Sequence, residues 1–110
     1  MIVTTTEQIP GMRVTEVLDL VQGSSIRVRH LGKDLTAVFK SITGGEITEY
    51  TKLMGEAREQ CLDRMREQAA QLGADAIVSV RFITAEVMQS AAELLVYGTA
   101  VKVEKVGPGA

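Results

Sequence analysis

A long helical pattern that ends at a glycine and leads into two apolar β patterns constrains the fold of this chain most strongly. Down to Leu72, apolar residues recur with the spacing of one helix face, and charged residues occupy the opposite face. The start falls between Thr43 and Thr48, where Thr43 and Glu46 have the spacing of a capping box. Gly73 tolerates the left-handed conformation that terminates helices. The pattern predicts a long amphipathic helix with one buried face.

Period-two patterns on both sides of this helix predict strands. After the helix, residues 76–83 and 94–103 alternate in this way, and both faces of each run are largely apolar. The segments before the helix predict, in chain order, a short strand over 2–6, a hairpin or bent strand over 14–29 interrupted at 22–25, and a short amphipathic helix over 31–42. Strands therefore flank the long helix in the chain.

These elements predict an α+β domain over residues 1–106, followed by a flexible C-terminal tail at 107–110. The expected sheet is mostly antiparallel, has four to five strands, and carries one short and one long helix on one face. Two helices cover one side of such a sheet, so the second apolar side needs another cover. The simplest way to bury this second side is contact with another copy of the chain, so the patterning predicts a homo-oligomer.

Composition argues against several kinds of partner. The formal net charge is −2 with acidic and basic residues interspersed, which disfavours nucleic acid and anionic membranes as partners. The chain has 1 cysteine, so no internal disulfide is expected, and a reducing, cytoplasmic setting fits. No segment approaches the roughly 18 consecutive apolar residues of a membrane span, and the N-terminus does not have the pattern of a secretory signal.

Four runs of sequence carry a resemblance to a known family. They are MIVTTTEQIPG, GGEITEYTKLMGEAREQCLDRM, LGADAIVSVRF and YGTAVKVEKV. Together they resemble the YbjQ-like family of small uncharacterised bacterial and archaeal proteins, which carry a heavy-metal-binding description. The resemblance runs from Met1 to about Lys105, and the chain departs from it at Asp19 and Ser79, where glycine is common, and at residues 30–32.

The resemblance implies an α+β fold similar to a dodecin subunit, assembled as a ring with sheets packed between subunits. The subunit number that it implies is five, a homopentamer. It implies no established activity.

Metal binding has one candidate set of ligands in the sequence. Met54, Cys61 and Met65 share one helix face, and their soft sulfur atoms suit Cu(I) or another heavy metal. The alternative is that the three side chains fill the apolar stripe as ordinary core residues, and this interpretation is favoured. A zinc site is disfavoured because it needs about four nitrogen or sulfur ligands. His30, repeated around a symmetry axis, is the alternative source of imidazoles.

Catalysis has little support, and the sequence predicts a non-enzyme. Cys61 and the distant His30 do not make a nucleophile–base pair with an orienting group. Glu86 and Glu93 near the last hairpin are carboxylates without a recognisable acid–base arrangement. The glycines at 44–45 precede a helix N-terminus but have neither P-loop nor dinucleotide-binding spacing.

The leading hypothesis is a non-enzymatic, ring-forming subunit that binds a small ligand or metal where subunits meet. The alternative is an enzyme or carrier for a small anionic metabolite, held by Arg27, Arg29 or Arg81 at a cleft between subunits.

Overall fold

A mixed four-stranded sheet with one long helix on one face forms the described part of the molecule. A computed structural model describes residues 1–28, 45–88 and 91–107. Its elements are, in chain order, β1 (Ile2–Val3), β2 (Met12–Val28), α1 (Gly45–Gln71), β3 (Ala76–Met88) and β4 (Ala91–Lys105). The sheet order is β1-β3-β4-β2, with β1 parallel to β3 and the other pairs antiparallel. The predicted α+β class is confirmed, whereas the helix expected over 31–42 lies outside the described residues.

Helix α1 begins and ends where the sequence pattern predicts. It starts at Gly45 and ends at Gln71, and Gly73 follows with φ of 77°. The Gly73 amide donates to the Ala70 carbonyl at 3.0 Å, and the Ala74 amide donates to the Ala69 carbonyl at 3.1 Å. This pair of hydrogen bonds is the Schellman arrangement, in which a residue with positive φ satisfies the last carbonyls of a helix. Glycine takes that conformation without a Cβ clash.

One stripe of α1 packs on the sheet. Ala57, Cys61, Met65 and Ala69 are fully buried at intervals of four residues. They share a core with residues of three strands: Val21, Ile77, Val80, Leu94, Val96 and Ala100. The prediction that Leu72 continues this buried stripe is wrong, because Leu72 is 42% exposed. Leu72 follows the last residue of α1, so the helical period no longer determines where its side chain points.

Strand β2 is continuous where the sequence predicted an interruption. Residues 22–25 pair in register with β4 and belong to one strand of 17 residues. A Cβ on Gly23 would clash with the Cys61 carbonyl oxygen, so α1 crosses the strand almost in backbone contact there. Ser25 is buried, and its hydroxyl donates to Gln60 Oε1 at 2.9 Å. The small and polar residues of this segment accommodate a helix and do not form a turn.

Register irregularities determine which side chains share a sheet face; four are present in the described strands, one of them between Glu86 and Met88 at the end of β3. Two lie in β2, between Val14 and Glu16 and between Val17 and Asp19. They place Val14, Val17 and Leu20 in register with Val103, Val101 and Thr99 of β4, although their spacing in the chain is three residues. The third lies in β3 between Val78 and Arg81 and contains Ser79, whose φ is 55°.

Opposite the bulge in β3, the neighbouring strand carries a glycine. A Cβ on Gly98 would meet Ile77 Cγ2 at 2.7 Å and Val80 Cγ2 at 3.0 Å. Glycine at position 98 therefore leaves room for the side chains of Ile77 and Val80, which flank the bulge in β3.

Replacing Ser79 by glycine should stabilise the protein. A left-handed conformation costs a residue with a Cβ roughly 1–2 kcal/mol, and the extra freedom of glycine in the unfolded chain offsets part of that gain. We expect Ser79→Gly to raise the free energy of unfolding by about 0.5 kcal/mol, measured by urea denaturation. Thr84→Gly in the same strand is the control and should lower it. Destabilisation by both variants would contradict the strain at Ser79.

The helix crossing makes a second pair of substitutions informative. Gly23→Ala forces a methyl group against the backbone of α1 and should lower the free energy of unfolding by about 3 kcal/mol or more. Gly55 lies in the interior of α1, and a Cβ there meets one side-chain atom at 4.0 Å. Gly55→Ala should therefore stabilise the protein by up to about 1 kcal/mol. Thermal unfolding of both variants measures the contrast, and equal effects would contradict the crossing at Gly23.

Candidate functional site

The sheet face opposite α1 is the main candidate for a functional surface. We call it the open face; its exposed apolar residues are Val14, Val17, Leu20, Ile26 and Ile83. Val17 is 66% exposed and Leu20 is 60% exposed, the highest values among the large apolar residues. Ile9 of the β1–β2 connection covers one end of this face, where it packs with Ala76, Val78, Val101 and Val103. Most of the face has no cover from the described residues.

The shape of the molecule exposes much more surface than a compact monomer does. Its extents are 61 × 24 × 16 Å and its radius of gyration is 18.4 Å, against about 13 Å for a compact domain of this length. Its accessible surface is 7463 Å², whereas an ordinary folded monomer of 11.9 kDa exposes about 5,900 Å². The long β2–β4 pair, 17 and 15 residues, extends the sheet into a thin slab.

The strand edges differ in how they are closed. On β2, the Gln22 amide donates to Gln68 Oε1 at 2.7 Å, and Arg64 donates to the Ser24 carbonyl, so side chains of α1 block this edge at residues 22–24. On β3, the β1 segment pairs as far as Val80. From Phe82 to Met88 the outer edge of β3 has no strand partner among the described residues. Phe82 and Ile83, on opposite faces of this stretch, are both exposed.

A row of polar side chains crosses the middle of the open face. Arg81 on β3, Tyr97 on β4 and Gln22 on β2 are in direct register across the three strands. Arg81 Nη1 donates to the carbonyls of Thr5 and Val80, both at 2.8 Å. Within the described part of the chain, Arg81 forms no ion pair. Arg81 thus brings to the open face a positive charge that no described carboxylate pairs with.

A cleft lies at the end of the open face, between the β1–β2 connection and the end of β4. Its volume is about 690 Å³, and its walls include Ile9, Met12, Val14, Val103 and Val106. Two backbone hydrogen bonds hold it: Met12 donates to the Ile9 carbonyl and Val106 donates to the Gly11 carbonyl, both at 3.0 Å. It is large enough for a small molecule or an apolar side chain.

Two of the three sulfur residues lie between the helix and the sheet. Cys61 and Met65 are fully buried in the main core, and Met54 is half-buried. The Cys61 thiol donates a hydrogen bond to the Leu94 carbonyl at 3.2 Å. In residues 1–28, 45–88 and 91–107, no group of three His, Cys, Asp or Glu side chains is placed to hold a metal ion. The surroundings of Cys61 and Met65 are those of a packed core.

The remaining predicted candidates do not meet in one place. Glu86 is in register with Ala92, and Glu93 is in register with Ala85, so the two carboxylates lie on opposite faces of the sheet. They are strand residues, not turn residues. His30, Arg29 and the glycine at 44 lie outside the described residues, as does the side chain of Arg27. Arg81 is the described member of the predicted arginine set.

No helix in the described ranges combines the length and the apolar character needed to cross a membrane.

Sequence comparison identifies the class of protein that this fold represents. A family model described as "Putative heavy-metal-binding" matches residues 1–104. The chain belongs to this YbjQ-like family, as its sequence runs predicted.

Relatives in bacteria and archaea agree with this assignment. A UPF0145 protein of Thermotoga maritima is 51% identical over 106 residues, covering 96% of this chain and 100% of the relative. One of Methanosarcina acetivorans is 52% identical over 103 residues, covering 94% and 97%. One of Thermus thermophilus is 54% identical over 103 residues, covering 94% and 90%. None of these names states an activity.

The fold has a counterpart among solved structures. A protein of unknown function from Pediococcus pentosaceus, of the DUF74 family, matches with a TM-score of 0.58 and 20% sequence identity. The match covers 94% of this chain and 98% of the other. At this identity the likeness concerns the fold alone.

Sequence reasoning missed two features of this surface. The alignment of Arg81 with Tyr97 and Gln22 in strand register depends on the bulge at Ser79. No local sequence pattern predicted this bulge. The cleft brings together segments about ninety residues apart in the chain. The departure at Ser79 from a common glycine was the one available signal for the bulge, because glycine is the usual residue where φ is positive.

Proposed function

We propose that the protein is a non-enzymatic subunit of a homo-oligomeric ring, in which the open face packs against neighbouring copies. The observation that carries the proposal is the exposed apolar row of Val14, Val17 and Leu20 on a sheet that α1 covers on its other side. Apolar patches of this kind mark interaction surfaces in soluble proteins. We choose another copy of the same chain as the partner because it is present wherever the protein is.

The amount of exposed surface favours two interfaces per copy. The molecule exposes roughly 1,500 Å² more than an ordinary monomer of its mass. A standard interface buries about 800 Å² on each partner, so two interfaces account for this excess. A subunit with two different contacts forms a closed ring when the rotation between copies closes. Five copies, in a dodecin-like arrangement, is the number that the family resemblance implies.

The exposed stretch of β3 suits the second contact. The edge from Phe82 to Met88 has backbone groups that a strand of a neighbouring copy can pair with. Exposed Phe82 and Ile83 on its two faces supply apolar contact area beside those hydrogen bonds. Pairing there protects an edge that would otherwise promote aggregation.

Ligand binding is proposed at the boundaries between copies. The family description supports a heavy metal as one ligand, and the cleft beside Val14 and Val103 supports a small molecule as another. Met54, Cys61 and Met65 remain the candidate sulfur ligands, although their burial favours core packing as their role. Relatives without an enzymatic name weakly support a binding role over catalysis.

A negative charge on the open face should separate the copies. We expect Leu20→Glu to convert the oligomer to monomers at micromolar concentration, because a desolvated carboxylate in an apolar interface costs several kcal/mol. Sedimentation velocity measures the change. Leu72→Glu is the matched control, since Leu72 is an exposed leucine just past the end of α1 and off the open face, and this variant should associate as the wild type does. A wild-type protein that is monomeric would overturn the proposal.

Cu(I) titration tests the role of the sulfur residues. If they are core residues, the folded wild type should bind no stoichiometric Cu(I), and Cys61→Ser should lower the free energy of unfolding by about 1 kcal/mol. Met54→Leu, at a half-buried position, should leave stability nearly unchanged. One Cu(I) per chain, lost in Cys61→Ser and weakened in Met54→Leu, would instead establish the metal site.

A further inference from the structure

The guanidinium of Arg81 is held with one side unoccupied. Both N–H groups of Nη1 are engaged by the carbonyls of Thr5 and Val80. Arginine has five N–H donors, so Nε and Nη2 keep about three, which have no partner among the described residues. The Nε and Nη2 side of a guanidinium is the side that binds two oxygen atoms of a carboxylate or phosphate group at once. The backbone contacts fix its orientation in advance, which lowers the entropic cost of binding.

The neighbours of Arg81 on the open face are hydrogen-bond donors. Tyr97 lies directly opposite on β4, and Thr99 lies two residues along the same face of that strand. Register places the backbones of Arg81 and Tyr97 about 5 Å apart, and the tyrosine and threonine hydroxyls are donors on the same face of the sheet. Hydroxyl donors complete the coordination of an anion that a guanidinium holds on one side.

Self-association makes the charge of Arg81 costly unless an anion accompanies it. A buried, unpaired ion is strongly unfavourable, and an opposite charge must enter with it. Among the described strand residues, Glu93 is the one carboxylate that register places on the open face, four residues along β4 from Tyr97; Glu7 lines the cleft at the end of this face and forms no ion pair with Arg81. The separation of Glu93 from Tyr97 is about 13 Å along the strand, too far for contact within one copy.

We propose that Arg81 binds a small oxyanion, a phosphate or carboxylate group, at the boundary between two copies, and that the bound anion promotes their association. This inference rests on the proposed self-association through the open face. Tyr97 and Thr99 supply hydroxyl donors to the anion, and Thr5 positions the guanidinium through its carbonyl. An anion that binds the associated form more tightly than the monomer shifts the equilibrium towards association by mass action.

The test compares association in three salts at one ionic strength: sodium chloride, sodium phosphate and sodium acetate. Sedimentation velocity over a concentration series gives the midpoint of association, and calorimetry measures binding of phosphate and acetate. The variant is Arg81→Gln, and the control is Arg66→Gln, which removes a partly exposed cation of α1. We expect phosphate or acetate to lower the wild-type midpoint about tenfold relative to chloride. Arg66→Gln should respond in the same way, and Arg81→Gln should not respond.

The outcomes separate this inference from the proposed oligomer. A wild-type oligomer with the same midpoint in all three salts would overturn the anion site but leave self-association standing. A response to anions that persists in Arg81→Gln would also overturn it. Loss of association in Glu93→Gln, without any anion response in the wild type, would show that a carboxylate of the neighbouring copy neutralises Arg81 instead. Monomers in every salt would overturn self-association, and calorimetry would then still decide whether Arg81 binds the ion.

A larger response to phosphate than to acetate identifies a phosphate group as the preferred ligand, and the reverse identifies a carboxylate. Either result supports the oxyanion site.

Discussion

The close crossing of α1 over β2 at Gly23 is the contact on which the rest of the structure depends. With the Cys61 carbonyl almost against the strand backbone, the buried stripe of the helix reaches the side chains of β2 and β4. The same crossing brings Gln60, Arg64 and Gln68 to the outer edge of β2, where they bond to residues 22–25. One helix thereby supplies a core and blocks a short stretch of the β2 edge. It cannot also cover the opposite face, and the open face is the direct consequence.

The open face owes its composition to irregularities in the strands. Without the two bulges of β2, Val14, Val17 and Leu20 would not share a side, because odd spacing in a regular strand alternates faces. Without the bulge at Ser79, Arg81 would point to the side of α1. The strain at Ser79 therefore accompanies the placement of a positive charge among apolar residues. A surface that combines apolar area with one oriented cation is suited to a partner that brings an anion with it.

Much of the secondary structure was predictable from local patterns, and the failures have identifiable physical causes. The bounds of α1 and its stop at Gly73 followed from periodicity and from glycine chemistry, which are local properties. The interruption expected at residues 22–25 was wrong because glycine and serine there serve a helix that lies some forty residues further along the chain. The burial expected for Leu72 was wrong because the helix had already ended. The row from Arg81 to Gln22 could not be predicted, since it needs the register of three strands.

The sequence by itself determined the family, the α+β class, the long helix, and the presence of more apolar strand surface than one helix layer can cover. These follow from the composition and from the periodic spacing of apolar residues, which are properties of short stretches of sequence. Tertiary structure alone decided which side of the sheet stays open, where the cleft forms, and that Arg81 stands there with one side of its guanidinium unoccupied. Those features arise from contacts between segments far apart in the chain, and register and bulges set them only once the strands have paired.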